Sequence, residues 1–214
     1  MFSIVIPTIW SPQIQSIDKL IENLSLSSQV LEILLINNNP NKYSTRYIDN
    51  QKVKELCFNN IYVNESWNVG VLESKSNCIC LMNDDIDFNT NIFNYIIEVF
   101  ENSDVKLIGV SKSCYLLEKD EEYKLEKVSI RNRGWGCLIF TKKEYYKPIP
   151  SDLKIHFGDD YLIKQLEGYV WKVEGLRISS EISTSVNSNQ EFLNIIQQDN
   201  INSIKYNLPW SNDY

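Results

Sequence analysis

The sequence predicts an α/β fold: one domain over residues 1–214, with a mostly parallel central sheet flanked by helices. Short β-branched runs alternate with amphipathic stretches through the first half of the chain, which is the pattern of such sheets. A strand, a helix and a second strand fit near the start, and strands joined through a helix lie parallel. No internal repeat, low-complexity linker or shift in composition divides the 214 residues, a length typical of one sizeable domain.

Three short segments predict the first strand–helix–strand unit. Strand Phe2–Ile6 is a β-branched run that Pro7 is expected to end, because proline cannot donate to the hydrogen-bond ladder. Residues 16–27 carry apolar side chains at helical spacing. Strand Leu31–Ile36 follows, and Asn37–Asn39 with the next proline favour a turn after it.

The same alternation predicts five further elements in the first half. They are strand Asn60–Val63, helix Ser66–Ser74, strand Cys78–Met82, helix Ile92–Phe100 and strand Val105–Val110. The strand at 78–82 is apolar on both faces, so we expect it at the centre of the sheet.

The alternation is less regular in the second half. Residues 114–130 are polar and charged, so we expect an excursion from the main sheet there. Strand Gly136–Thr141, helix Asp160–Glu167 and strand Tyr169–Val173 are predicted next. Residues 188–205 are predicted to form a last helix on the outside of the domain.

The charge of the chain argues against nucleic acid as its main partner. Asp and Glu number 28 against 21 Lys and Arg, which gives a net charge of −7. Nucleic-acid binding normally needs a positively charged surface, and the sequence has no basic run. His156 is the one histidine, so a His-rich zinc site is excluded. We expect His156 to be a packing or surface residue.

The cysteines and the apolar runs predict a reduced protein without a membrane span. The five cysteines form no Cys-x-x-Cys pair and lie mostly in apolar runs, as reduced cytoplasmic thiols do. The longest apolar runs, such as Val30–Ile36, are far shorter than the about 20 residues that cross a bilayer. The lack of alanine suggests an AT-rich bacterial or viral genome. We therefore expect a cytoplasmic protein, in the host cytoplasm if the source is viral.

Polar residues follow three of the predicted parallel strands. They are Pro7-Thr8, Asn37-Asn38-Asn39 and Asn83-Asp84-Asp85-Ile86-Asp87. Ligands of open α/β sheets bind outside the carboxyl ends of the strands, because the loops converge there. The sequence therefore predicts a site at this edge.

The acids after strand 78–82 have two explanations. Three carboxylates within four residues, Asp84, Asp85 and Asp87, repel one another unless a cation lies between them. Carboxylate oxygens suit Mg²⁺ or Mn²⁺, which also take phosphate oxygens. The alternative is a solvated acidic turn or a cap for the helix that begins at Ile92. Neither a Gly-x-Gly-x-x-Gly nor a P-loop motif is present, so a nucleotide would have to be held through a metal.

At these residues the sequence resembles the family 2 glycosyltransferases of the GT-A fold, which move a sugar from a nucleotide-sugar to an acceptor. Ser3–Thr8 resembles the opening strand and loop that hold the nucleoside. Glu32–Asn38 is similar to the second strand, where Asn37 takes the place of the family's base-reading Asp. Asn68-Val69-Gly70 matches the Asn-x-Gly of the next helix, and Leu81–Asp85 resembles the Asp-x-Asp element.

The resemblance continues in the second half of the chain. Gly134–Cys137 resembles the segment that lines the sugar and acceptor pocket. Trp135 lies between two glycines there, so we expect it to be partly exposed and able to stack on a sugar. Phe157–Leu162 resembles the Gly-Glu-Asp element, with Asp159 in place of Glu and Asp160 at the catalytic base. Glu181 lies where the family often has a metal-binding histidine.

The resemblance implies a metal-dependent transferase that uses a nucleotide-sugar, UDP-sugar above all, and inverts the sugar with an Asp base. It implies Mn²⁺ or Mg²⁺ as cofactor, held by Asp85, Asp87 and Glu181, and Asp160 and Asp159 as catalytic residues. It divides the chain into a nucleotide-sugar-binding half, 1–110, and an acceptor-binding half, 111–214, with a C-terminal helix. The implied donor-binding residues are Pro7, Thr8, Asn37, Asn38, Asn68, Gly70, Asn83, Asp84, Asp85, Trp135 and Gly136.

Several alternatives stay open at the level of sequence. Gly70 fits close approach to phosphate or tight packing on a strand, and Asp159 with Asp160 fits a pair of acids at a helix N-terminus. The chain could be a non-catalytic sugar- or nucleotide-sugar-binding protein of the same fold. A glycoside hydrolase is less favoured, because it needs opposed carboxylates roughly 5 to 9 Å apart. The acceptor could be a glycan, a protein or another hydroxyl compound, and the acidic charge disfavours modified DNA.

Overall fold

The structure, a computed structural model, describes residues 1–10, 17–43, 47, 49–128, 132–180 and 190–208. In those ranges the strands are β1 Phe2–Thr8, β2 Val30–Asn37, β3 Val53–Cys57, β4 Cys78–Met82, β5 Ile86–Phe88, β6 Leu107–Val110, β7 Lys124–Lys127, β8 Leu138–Lys142, β9 Val170–Glu174 and β10 Ile178–Ser180. The helices are α1 Ile17–Leu26, α2 Pro40–Tyr43, α3 Tyr62–Glu73, α4 Ile92–Asn102, α5 Gly158–Gln165 and α6 Gln190–Ser203.

Eight strands form one sheet in the order β3-β2-β1-β4-β8-β6-β9-β7. Four of the seven neighbouring pairs are parallel: β1 with β2, β1 with β4, β2 with β3, and β6 with β9. The chain order reverses at β1, because β2 and β3 lie on one side of it and β4 on the other. Such a reversal opens a crevice at the carboxyl ends of the strands. The predicted fold class is therefore confirmed.

Helices cover both faces of this sheet. Ile4 and Ile6 of β1 belong to the core that includes α1 and α4, whereas Val5 belongs to the core that includes α3 and α5. Side chains alternate between the faces along a strand, so β1 contributes to both layers. The carboxyl end of this fully packed strand is thereby held in place.

Strand β1 continues through Pro7, where the sequence predicts its end. Pro7 is aligned with Ile36 of β2, whereas the pairing of β1 with β4 stops at Val5. A proline lacks an N–H donor and is tolerated where one side of the strand needs no ladder bond. The strand therefore carries Thr8 one step further toward the site.

The predicted strand Asn60–Val63 is wrong. Asn60 and Tyr62 have positive φ angles of 39° and 64°, which no strand allows, and α3 begins at Tyr62. The strand that pairs parallel with β2 is β3. It contains Lys54 and Glu55, so it lacks the apolar run from which a strand is predicted. As a sheet-edge strand, β3 needs fewer apolar side chains than a central strand.

Two elements of the second half also differ from the prediction. The polar stretch at 114–130 is not wholly an excursion, because β7 pairs antiparallel with β9 at the edge of the main sheet. The acids after β4 are followed by β5, which pairs antiparallel with β10 in a separate two-stranded ribbon. The ribbon therefore places residues 178–180 beside the segment that follows the acidic turn.

Candidate functional site

A cavity of about 220 Å³ lies where β1, β2 and β4 end. It brings together residues from six segments of the chain, among them six residues that the sequence predicts as donor-binding. Those six are Pro7, Thr8, Asn38, Asn83, Asp84 and Asp85, and the other lining residues are Ile9, Asn60, Tyr62, Val63, Ile155 and Phe192.

The surroundings of Asp84 in this cavity change the pKa of its carboxyl. Burial, with a smaller contribution from the charge of the neighbouring Asp85, raises the pKa of its carboxyl from 3.8 to about 6. A hydrogen bond from the Thr8 hydroxyl acts in the opposite direction. The two neighbouring carboxylates of Asp84 and Asp85 in this cavity are a setting that favours a cation.

Asp85 connects this turn to the ribbon. The Ser180 hydroxyl at the end of β10 donates to Oδ2 of Asp85 over 3.2 Å. Glu181, the predicted third metal ligand, is the next residue in the chain and lies outside the described residues.

Asp87 is a correction to the predicted metal ligands. Its Oδ2 accepts a hydrogen bond from Arg177 Nη1 at 2.8 Å, and its Oδ1 lies 3.5 Å from Lys19 Nζ. A carboxylate that already faces two cationic side chains has little attraction left for a metal ion. We therefore assign Asp87 to fixing the β5–β10 ribbon.

The remaining carboxylates still fit a hard divalent cation. In the part of the chain that the structure describes, no group of three or more His, Cys, Asp or Glu side chains is arranged for a metal. Mg²⁺ and Mn²⁺ sites commonly use one or two carboxylates, with water and substrate phosphate filling the other positions. Asp84 and Asp85 meet that lower requirement.

The sequence predicts that Asn37 reads the base, and its contacts argue otherwise. The side chain is fully buried, with Nδ2 donating to Glu55 Oε1 at 2.6 Å and Oδ1 accepting from the Asn39 amide at 2.8 Å. Asn38 does line the cavity, yet its amide donates to Ser66 and accepts from the backbone N–H of Ile61. Both side chains shape the loop after β2.

Asn68 and Gly70 hold α3 in place and do not line the cavity. The Asn68 side chain donates to Glu65 and to the Ile149 carbonyl, and it accepts from Tyr146 and the Ile149 amide. A Cβ on Gly70 would lie 2.2 Å from Cγ1 of Val5, so the packing explanation is confirmed for Gly70. The predicted contacts of Asn68 and Gly70 with the donor are therefore replaced by structural roles in α3.

Trp135 is a core residue, contrary to the prediction of a partly exposed platform. Its side chain has no exposed surface, and a Cβ on Gly109 of β6 would lie 2.1 Å from its ring. The glycine in β6 makes room for the indole. Trp135 therefore cannot stack on a sugar in this arrangement.

Gly136 lies beside the acids of α5. A Cβ at this position would come within 2.6 Å of Oδ2 of Asp159, so the glycine leaves space for that carboxylate. The adjacent Cys137 accepts a backbone hydrogen bond from Asn83, which connects this segment to the cavity. Asp159 is half-buried, whereas Asp160 is only 4% exposed.

Two buried polar side chains fix the loop that leads to these acids. Asp199 of α6 accepts hydrogen bonds from the backbone N–H groups of residues 154, 155 and 156, at 2.7 to 2.9 Å. Asn64 of α3 donates to the carbonyls of Leu153 and His156 from the other side. His156 itself is buried, as the packing prediction requires. The loop thus enters α5 from a backbone held on two sides.

Sequence reasoning missed several residues of the cavity. Tyr62 was hidden inside a wrongly predicted strand, although two turn-favouring asparagines nearby indicated irregular backbone. Phe192 belongs to a helix that was predicted only as outer packing. Its position as the single aromatic residue of that helix was the signal that could have identified it.

Comparisons with known proteins identify the fold. No protein-family model matches the sequence, and no curated protein is significantly similar to it. The crystal structure of S. aureus TarS 1–349 in complex with UDP-GlcNAc is similar, with a TM-score of 0.62, 11% identity, and coverage of 94% of this chain and 65% of that one. GalNAc-T7 with UDP, GalNAc and Mn²⁺ gives a TM-score of 0.61 at 12% identity, covering 84% of this chain and 43% of that one.

These neighbours are glycosyltransferases of the GT-A fold, so the chain has that fold. It spans less than two thirds of the length of either neighbour. At 11 to 12% identity the likeness concerns the fold alone. Among the described helices, none is long and apolar enough to cross a bilayer.

Proposed function

We propose that this protein is a metal-dependent glycosyltransferase of the family 2 type, which moves a sugar from a nucleotide-sugar, UDP-sugar above all, to an acceptor hydroxyl. The observation that carries the proposal is the cavity at the reversal of the sheet, where Asp84 and Asp85 meet the end of β1. Two neighbours of the same fold have been crystallised with UDP-GlcNAc and with UDP, GalNAc and Mn²⁺.

Asp85, with Asp84 beside it, would hold Mn²⁺ or Mg²⁺, and Glu181 remains a proposed third ligand. The bound ion would act as a Lewis acid that stabilises the negative charge of the diphosphate leaving group. Ser180 keeps the Asp85 carboxylate oriented through its hydrogen bond. Thr8 supports Asp84 in the same way.

The acids of α5 would provide the base for an inverting transfer. Asp160 would accept the proton of the acceptor hydroxyl as the new glycosidic bond forms, with Asp159 beside it. Gly136 keeps open the space next to Asp159. The Asn64 and Asp199 contacts hold the loop that presents both acids, which would limit misplacement of the base.

The wider assignments are proposals of the same kind. Residues 1–110 would bind the donor, and residues 111–214 the acceptor, which could be a glycan, a protein or another hydroxyl compound. The acidic net charge of −7 makes modified DNA the least favoured acceptor. The described cysteines are all free thiols, which supports a cytoplasmic location.

A thermal-shift screen of nucleotide-sugars with and without Mn²⁺ tests the donor site. We expect wild-type protein to be stabilised when nucleotide and metal are both present, because each binds the folded state. Asp85→Asn should lose this shift, whereas Asp87→Asn should keep it if Asp87 only fixes the ribbon. If no nucleotide stabilises the wild type under any metal, the donor-site proposal is wrong.

Transfer assays separate catalysis from binding. Asp160→Asn should keep the nucleotide-dependent thermal shift and lose sugar transfer. Retained transfer in Asp160→Asn, with loss in Asp159→Asn, would move the base role to Asp159. Normal donor binding by a wild type that neither transfers sugar nor hydrolyses the donor would favour a non-catalytic binding protein.

A further inference from the structure

We propose that the nucleobase of the donor is held by stacking on Phe192 of α6, while the hydrogen-bonding edge of the base is left mostly unread. The inference rests on the proposed function, because it concerns the same cavity. It adds Phe192, a residue of the proposed acceptor-binding half 111–214, to the donor site that residues 1–110 would otherwise form. It identifies the ligand class as a nucleoside diphosphate whose base is recognised by its face.

The cavity lining divides into two chemical groups. Asn83, Asp84 and Asp85 come from the turn after β4 and suit the metal and diphosphate. The apolar and aromatic members suit a planar base, and they are Pro7, Ile9, Tyr62, Val63, Ile155 and Phe192. Phe192 is the one phenylalanine among these lining residues, and it is the one that belongs to α6.

The amide side chains nearest to the end of β2 are already engaged. Asn37 is buried and bonded to Glu55 and to the backbone of residue 39. Asn38 is bonded at both its oxygen and its nitrogen, and Oδ1 of Asn60 accepts from the Tyr62 amide over 3.3 Å. Reading a base edge with these three asparagines would require their bonds to be broken, which favours contact with the face of the base.

Helix α6 holds Phe192 at the cavity through a polar anchor. Asp199 lies seven residues after Phe192, two helical turns along the same face. Its carboxylate is only 1% exposed and binds the N–H groups of residues 154–156, including Ile155, which itself lines the cavity. The helix and the loop are therefore fixed to each other, and the wall that they form is preorganised.

Stacking on an aromatic side chain tolerates changes of the base edge, because every base has a π-face. Uracil and cytosine have the same ring size and different edges. A 5,6-dihydrouracil ring keeps the edge of uracil and loses its aromatic face. These three bases therefore separate recognition of the face from recognition of the edge.

The test is isothermal titration of UDP, CDP and 5,6-dihydro-UDP into the full chain with Mn²⁺. For the wild type we expect UDP and CDP to bind within about threefold of each other, and dihydro-UDP to bind about tenfold more weakly. Phe192→Ala should weaken UDP and CDP by about tenfold and abolish the difference between UDP and dihydro-UDP. Phe192→Tyr, which keeps the ring, should restore both.

Leu193→Ala is the matched control, because Leu193 is the next residue of α6, is 49% exposed and is not a lining residue. It should bind all three nucleotides as the wild type does. Unchanged melting of each apo variant establishes that folding is intact. The inference is overturned if Phe192→Ala binds UDP normally, or if UDP binds more than tenfold tighter than CDP. Absence of any nucleotide binding by the wild type would instead reject the proposed function itself.

Discussion

The centre of the sheet and the C-terminal segment, meaning the described residues 149–165 and 190–203, differ in how much polar side chains contribute to holding them in place. Strands β1, β2 and β4 are joined to α1, α3 and α4 by apolar side chains that interlock across both faces. The C-terminal segment contributes apolar side chains such as Phe157 and Leu162 to one of these cores. It is fixed in addition by polar side chains that bind backbone groups: Asn64, Asn68, Asp199 and Asn202. The first region supplies the strand ends of the site, and the second supplies the proposed base and Phe192.

The difference shows how one chain can fix two kinds of structure. Apolar packing fixes elements that are regular and repeat with the period of a strand or helix. A loop such as 153–157 has no such period, and buried backbone groups there need hydrogen-bond partners from elsewhere. Side chains of α3 and α6 provide those partners.

The largest effect is expected when the polar anchor of the C-terminal segment is removed. Asp199→Ala would leave three backbone N–H groups without their carboxylate, and we expect a loss of about 3 kcal/mol in the free energy of unfolding. Asp199→Asn keeps one acceptor oxygen and should lose about half as much. Urea denaturation measures both.

Asp152→Ala is the control for that experiment. Asp152 accepts from Lys205 and Tyr206, but its side chain is 34% exposed, so we expect a loss below about 1 kcal/mol. Equal losses for Asp199→Ala and Asp152→Ala would contradict the view that buried polar anchors fix this region.

A smaller effect should follow from adding one methyl group to the apolar region. Gly70→Ala places a Cβ against Val5, and we expect a loss of about 2 kcal/mol, although alanine normally favours a helix. Val5→Ala removes the two methyl groups that lie 2.2 and 2.7 Å from the new Cβ. Gly70→Ala made in the Val5→Ala protein should therefore cost much less than in the wild type, although the Cβ of residue 5 stays 3.0 Å from the new Cβ. A double-mutant cycle by thermal melting checks the coupling, and additive losses would contradict it.

The smallest effects concern the pH dependence of the free energy of unfolding, which has opposite signs for Asp84 at the end of β4 and Asp152 in the C-terminal segment. Burial raises the pKa of Asp84 to about 6, so its contribution to stability is present below pH 4 and is lost as the pH rises through 6. With a chelator present, Asp84→Asn should be more stable than the wild type at pH 7 by about 1 kcal/mol, a value reduced for partial exposure.

Asp152 provides the opposite case. The hydrogen bond from Lys205 lowers the pKa of Asp152, so its contribution is present at neutral pH and is lost as the pH falls through the lowered pKa. Asp152→Asn should therefore be slightly less stable than the wild type at pH 7 and equal to it near pH 2. Chemical denaturation across this pH range measures both variants, and the same sign of pH dependence in both would contradict the assignment.

Sequence alone was sufficient where apolar periodicity was strong. Strand 78–82, helix 92–100 and the acids after the strand were placed correctly, because a strand buried on both faces leaves an uninterrupted apolar run. Thr8, Asp84 and Asp85 were found together, since the strand ends of a parallel sheet lie at one edge.

The failures have physical causes of their own. Trp135 was predicted to be exposed because flanking glycines suggested a loop, whereas the space for its ring comes from Gly109, which is distant in sequence. Asp87 and Asp199 each have an ordinary sequence context, and their partners lie on other elements. Contacts of that kind depend on tertiary structure and leave no periodic pattern.

The β5–β10 ribbon also determines the order in which the site can assemble. Its pairing of residues 86–88 with 178–180 joins segments about ninety positions apart, so the loop closed by this contact is long. A nascent chain can form the early parallel strands while the acidic turn still lacks Ser180 and Arg177. The proposed nucleotide site should therefore form only after the ribosome has released the second strand of the ribbon.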